Sequence, residues 1–234
     1  MLDEVARVFF IARGKPHRVL RKIRKWVGKV VPRRFDCAYY HDPERGLFGG
    51  SQAINRLVAL QDVIADAADR TVLDLGCAEG LITEQFLQAG ARQVTAFDIR
   101  PGRIAAARRL MPTPRARFEV GDLADWNGFE CRHRLLPGYD IVLFLGVYQH
   151  LPRASRAAAL RGAAERALYR FALRAPAEML GEIDAVLRSA GLVMISEKRG
   201  NGLGVSRFRL YERPVPRLQV PSRRSSETSG TVVA

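Results

Sequence analysis

Residues 72–80 read Val-Leu-Asp-Leu-Gly-Cys-Ala-Glu-Gly. Val72, Leu73 and Leu75 make a short apolar run, the mark of a buried strand. Gly76 and Gly80 bracket a tight loop. Leu81 to Ala89 then carries apolar residues at helical spacing, and Gly90 stands where a helix stops. Strand, glycine turn and helix in that order form a nucleotide-binding corner. The glycines let backbone approach a ligand, and the helix start presents free N–H groups.

Two common versions of that corner are excluded. The dinucleotide fingerprint G-x-G-x-x-G would fall on Gly76, Ala78 and Leu81, and two of its glycines are missing. No Lys-Ser/Thr pair follows Gly80, so this is not a phosphate-cradling P-loop. The stretch resembles motif I of the class I S-adenosylmethionine (SAM)-dependent methyltransferases, D/E-x-G-x-G-x-G. Asp74, Gly76 and Gly80 match it, and Ala78 replaces the middle glycine. The resemblance implies that Asp74, Gly76, Cys77, Ala78 and Gly80 hold SAM, with Asp74 suited to the cationic amino group of its methionine part. The lesser alternative is that Asp74 does no more than cap the loop.

Spacing extends the resemblance over about residues 52–211. Residues 93–98 read as a second strand ending in Asp98, 24 positions after Asp74. A carboxylate there, followed by Ile99, can accept hydrogen bonds from both ribose hydroxyls, as the acid about 20 residues on does in dinucleotide folds. It can also cap the next helix, where Pro101 sits in the first turn. A third strand, 116–120, ends in Gly121-Asp122-Leu123. The resemblance implies an acid at 122 for the adenine amino group and an apolar residue at 123 against the ring, while turn chemistry alone also explains Asp122. A fourth strand, 139–145, leads into Leu145-Gly146-Val147-Tyr148-Gln149-His150-Leu151, the position of motif IV. Leu145 and Gly146 complete the expected cofactor contacts.

The chain alternates helix and strand throughout. A helix is expected at 51–68, with Ser51 as N-cap and Ile54, Leu57, Val58, Gln61 and Ile64 along one side. Strands follow at 71–75, 93–98, 116–120, 139–145, 167–173, 192–197 and 205–211, with helices at 80–89, 102–110, 153–164 and 176–190. This is an α/β pattern: a doubly wound, mostly parallel seven-stranded sheet with helices on both faces and the last strand antiparallel. Ligands of such sheets sit at the carboxyl ends of the strands, where Asp74, Asp98, Asp122 and Gly146 all fall. The division expected is a basic extension at 1–34, a lead-in or lid segment with its helix at 35–70, a SAM-binding domain at 71–212, and a disordered tail at 213–234.

The 234 residues carry a formal charge of +14, which resembles a nucleic-acid signal until it is localised. Residues 1–34 hold 11 Lys/Arg against two acids, and residues 213–234 hold four Arg against one Glu, leaving only +2 for everything between. The body demands no broad phosphate-binding face. Within the first end, Val19, Leu20, Ile23, Trp26, Val27, Val30 and Val31 fall at helical spacing among Lys and Arg. A basic amphipathic helix over 17–31 suits an anionic membrane surface, packing on its own domain, or RNA. The three cysteines are scattered, forming neither a disulfide framework nor a metal set, and suit a reducing, cytoplasmic setting. No apolar run reaches the ~18 residues that span a bilayer, and Val5 to Ala12 follows two acids, a poor secretory signal.

The acceptor is read from the loop after the fourth strand. An alcohol is a poor nucleophile and needs a base. His150 is placed for that task, by pKa as well as position, although a packing histidine ahead of Pro152 is the competing reading. Tyr148 and Gln149 could orient an acceptor, His41 is a second base candidate, and Arg174 could bind an acceptor carboxylate or phosphate. The Asn/Asp-Pro-Pro-Tyr of enzymes that methylate exocyclic base nitrogens is missing, and so is a cysteine pair for pyrimidine carbon 5. DNA is therefore disfavoured. The stretch looks more like small-molecule and sugar O-methyltransferases, and with the basic N-terminus it implies a small-molecule, glycan or glycolipid acceptor at the inner membrane face. The alternatives are a tRNA-modifying methyltransferase and a SAM-binding module that supports a partner without catalysis.

Overall fold

A computed structural model of the chain describes residues 40–42, 46–48, 53–199 and 206–214, with side chains from residue 59 onward. The expected helix at 17–31 and the tail beyond 214 lie outside the described residues. The strands are β1 (Tyr40–Asp42), β2 (Gly46–Phe48), β3 (Thr71–Leu75), β4 (Gln93–Asp98), β5 (Ala116–Val120), β6 (Tyr139–Leu145), β7 (Ala167–Pro176), β8 (Val193–Arg199) and β9 (Ser206–Glu212). The helices are α1 (Ala53–Ala65), α2 (Leu81–Gln88), α3 (Pro101–Leu110), α4 (Trp126–His133), α5 (Arg153–Glu165) and α6 (Leu180–Ser189).

Seven strands form one sheet in the order β5-β4-β3-β6-β7-β9-β8. Pairing is parallel from β5 across to β7. β9 runs antiparallel between β7 and β8, so the reversed strand is internal and β8 holds the edge. β1 and β2 form a separate antiparallel ribbon within the segment expected as a lid.

The central strands read as unbroken apolar runs because both their faces are covered. Alternate residues divide between two cores. Leu73, Leu75, Val142 and Phe144 pack with Trp126, Phe129, Leu160 and Ile183 from α4, α5 and α6. Val72, Ile141 and Leu143 pack with Leu60, Phe86 and Ile104 from α1, α2 and α3. Burying each such side chain contributes about 1.5–3 kcal/mol.

Several expected boundaries shift. β7 runs on to Pro176, so Arg174 lies inside the strand; α6 begins only at Leu180, after a 3-10 turn at Ala177–Met179. Among the described side chains of α1, Leu60 and Val63 are buried and the expected Ile64 packs against the same core, with Ala67 beyond the helix, while Gln61 is exposed. Ser51 lies outside the described residues. α4 was not expected at all: its segment reads as a charged loop containing His133. Only Trp126 and Phe129 are buried there, and the first turn contains Gly128, a poor helix former. What forms the helix is the cap of Asp125, which accepts from Gly128 N–H at 3.1 Å, and a docking notch at Gly162. A Cβ on Gly162 would stand 2.0 Å from Trp126 Nε1.

Candidate active site

The nucleotide corner is built on backbone that few residues adopt. Gly76, Ala78 and Gly80 have φ of 87°, 52° and 85°. The first and last are glycines because no Cβ penalty arises there. Ala78 accepts the same left-handed conformation with its methyl, at a cost of about 1–2 kcal/mol. The loop is held by the end of β4: Gly76 and Cys77 N–H both donate to Phe97 O at 2.8 Å, and Ala78 N–H donates to Asp98 Oδ2 at 3.1 Å.

Asp74 lies beneath this loop. It is 2 % exposed and accepts from the Thr83 hydroxyl at 2.7 Å. Burial pushes its pKa up to about 7; the Thr83 hydrogen bond opposes the rise, and the charge of Asp98 adds to it. Cys77 is buried too, and burial pushes its thiol well up, with Asp74 and Asp98 adding to the effect. Neither residue stands on the wall of the cleft that opens above.

That cleft has a volume of about 630 Å³ and lies along the carboxyl ends of β3, β4, β5 and β6. Of the expected residues, it brings together Gly76, Ala78, Asp98, Ile99, Asp122, Leu123, Leu145, Gly146 and His150. Asp98 is 6 % exposed, and its Oδ1 accepts from Arg100 N–H at 2.9 Å, so it does organise the start of α3. Asp122 is exposed and accepts from Ala124 N–H at 2.9 Å, a turn contact that leaves its other oxygen toward solvent. Ile99, 59 % exposed, is an apolar side chain offered to the cleft rather than to the core.

Sequence reading missed Phe97, Arg103 and Val147 on the same wall. Arg103 occupies the third position of α3, a first-turn place that spacing from Asp98 could have flagged. Its Nη1 stands 3.5 Å from Asp98 Oδ2 and its Nε 3.8 Å from Glu79 Oε1.

At the β6 end, the chain turns through Gly146 and a 3-10 turn at Tyr148–His150. His150 is exposed on the cleft wall. The Gln149 amide nitrogen donates to Gly146 O at 3.1 Å and approaches His150 Nε2 at 3.4 Å. Arg156 ties the turn down, Nε to Leu151 O at 3.0 Å and Nη2 to Gln149 O at 3.2 Å.

Tyr148 corrects an expectation. It is 2 % exposed within the α4–α6 core, with the Glu182 carboxylate near its hydroxyl. Burial and that carboxylate push its pKa up to about 12. It therefore packs and does not face an acceptor. Arg174 is not on the cleft wall either. It packs behind Gly146, its Nη1 3.0 Å from where a Cβ on that glycine would stand, with its guanidinium 5.8 Å from the Phe208 ring centre. His41 lies in β1, and its side chain is outside those described.

The donor set fits a nucleoside. Oxygen acceptors of Asp98 and Asp122 stand at successive strand ends, Ile99 and Leu123 supply apolar walls between them, and the glycine loop brings backbone close. A parallel sheet with one inserted antiparallel strand, carrying this cleft at its carboxyl edge, defines the class I methyltransferase fold. Residues 72–168 match a family model described as a methyltransferase domain. The chain thus carries a methyltransferase domain over residues 72–168 and has the fold of the class I SAM-dependent methyltransferases.

Three similar solved structures share the fold. Magnesium protoporphyrin IX methyltransferase from Synechocystis, with bound SAM, superposes with a TM-score of 0.57 at 22 % identity over 69 % of this chain and 81 % of that one. A putative RNA methyltransferase from Pyrococcus horikoshii gives 0.57 at 14 % identity, over 72 % and 86 %. An O-methyltransferase family protein from Burkholderia thailandensis gives 0.55 at 18 %, over 71 % and 57 %. No curated protein matches the sequence.

The chemistry needed of such a site is alignment. SAM supplies an activated methyl group, and the protein positions it, positions the acceptor and keeps water away. Asp98 and Asp122 would hold the nucleoside, and the Gly146–His150 turn would face the acceptor. Among the described residues no helix is long and apolar enough to cross a membrane, and no group of side chains is placed to hold a metal ion.

Proposed function

We propose that this methyltransferase modifies an oxygen of a small molecule, sugar or glycolipid precursor. The observation that carries the reading is His150 on the wall of the cleft, on the turn after β6 where an acceptor meets the methyl group. A hydroxyl gains nucleophilicity as its proton leaves, and a neutral imidazole in reach takes it. The ring must first part from the Gln149 amide, whose approach favours Nε2 as an acceptor. Asp98 and Asp122 serve as the ribose and adenine acids. Asp74 serves from beneath the glycine loop, and Arg174 lends positive charge behind Gly146 to an acceptor that carries an anionic group.

The basic segment 17–31 would bring the enzyme to an anionic lipid surface on the cytoplasmic side. The segments 1–34, 35–70, 71–212 and 213–234 would then act as surface anchor, lead-in, catalytic body and tail. Transfer of labelled methyl from SAM into lipid, glycan, RNA and protein fractions of a cell extract tests the acceptor. Label in the glycan, lipid or small-molecule fraction, lost with His150→Ala, supports the proposal. Label confined to RNA replaces it with nucleic-acid modification.

A further inference from the structure

Arg103 stands between two carboxylates inside the cofactor cleft. On one side is Glu79, 1 % exposed, and on the other Asp98, 6 % exposed. Asp98 is already well supplied with donors. Its Oδ2 takes Ala78 N–H at 3.1 Å, its Oδ1 takes Arg100 N–H at 2.9 Å, and Arg103 Nη1 approaches Oδ2 at 3.5 Å.

A carboxylate offers about four lone-pair sites. The two backbone donors take two of them, and the guanidinium, paired to Oδ2 at 3.5 Å, screens a third. A ribose held at both hydroxyls requires two, one more than remains. The backbone donors are fixed, because the loop's register and the start of α3 depend on them. Only the guanidinium can leave, and Glu79 lies on its other flank to keep its charge compensated.

The geometry points to Arg103 as a residue that limits nucleoside affinity by competing with the ribose for Oδ2 of Asp98. Glu79 retains the cation in the cleft when the diol takes its place. The inference rests on Asp98 as the ribose acid. SAM and its demethylated product carry the same diol, so both are weakened alike, and the product leaves more readily than the contacts alone would allow. Were Arg103 itself a donor to the ribose, its removal would act in the opposite direction.

Calorimetric titration of S-adenosylhomocysteine separates the two. Arg103→Met should bind it roughly three- to fivefold more tightly than the wild type, the upper end of what a partly exposed ion pair is worth. Arg103→Lys, which keeps the charge, should stay near the wild type. With the 2′-deoxy and 3′-deoxy analogues the gain should shrink to within about twofold for at least one, because the competing hydroxyl is gone. Arg103→Gln gives the same reading if the methionine variant does not fold. Weaker binding by the neutral variants overturns the proposal, as does a gain undiminished with both analogues. Asp98→Asn tests the foundation separately. If it leaves affinity unchanged, the ribose assignment fails. If it weakens binding while Arg103→Met gives no gain, only the competition fails.

Discussion

The Thr83 hydroxyl on α2 donates to Oδ2 of Asp74 at the end of β3, 2.7 Å away, with both residues buried under the glycine loop. That bond staples the strand to the first turn of the helix across the loop between them. It also lowers the cost of a carboxyl that burial raises from 3.8 to about 7.

The Asp74 pair makes stability depend on pH. The folded state holds a proton that the unfolded state has released between pH 3.8 and about 7. A folded state richer in protons loses stability as pH rises, so the loss accumulates across that window and is complete above pH 7. Asp74→Asn should therefore melt higher than the wild type at pH 8, and the difference should close as pH falls towards 4. Thermal melts across that range check it; a constant offset would show that Asp74 does not titrate there.

Ala78 holds a left-handed backbone at φ 52°. Ala78→Gly relieves strain of about 1–2 kcal/mol but gives the unfolded chain about 0.5–1 kcal/mol of entropy, so stability should rise slightly or hold. Ala78→Val puts a β-branched side chain in that conformation and should cost about 2 kcal/mol or more. Denaturant midpoints of the two variants should move apart.

Gly162 lies in the last turn of α5, inside the helix, where alanine is normally better by about 1 kcal/mol. Here its Cβ would stand 2.0 Å from Trp126 Nε1. Gly162→Ala should destabilise by about 1–3 kcal/mol despite the gain in helix propensity. Tryptophan fluorescence should report displacement of Trp126.

His150→Ala should lower kcat by about 10²–10⁴ if the ring is the base, with calorimetric SAM affinity within about twofold of the wild type. Gln149→Leu frees the ring and should leave kcat equal or higher. A fall in cofactor affinity with His150→Ala would instead make the ring part of the nucleoside pocket.

The fold was legible in the sequence because periodicity and glycine placement recur at every crossover. β3, β4, β5 and β6 lie at the expected bounds, since a glycine or an acid closes each of them at its carboxyl end. α4 was not legible, because its formation depends on a notch at Gly162, 36 positions away from Trp126. In the cleft, the acids on strand ends could be read by spacing, but the direction of a side chain could not. Tyr148 sits two positions before His150 yet is buried in the core while His150 is exposed, because the 3-10 turn sends the two in different directions. Arg103 was missed because an arginine in a first helical turn looks like ordinary surface until Glu79 is found beside it.

The position of β9 governs the order in which the molecule can be completed. β8 is synthesised before its sole neighbour in the sheet, and β7 keeps a bare flank until residues 206–212 arrive to fill the slot. A nascent chain stopped between residues 199 and 206 carries two unsatisfied ladders at once. β9, the last of the described strands to leave the ribosome, thus closes both, a wedge driven between segments already made.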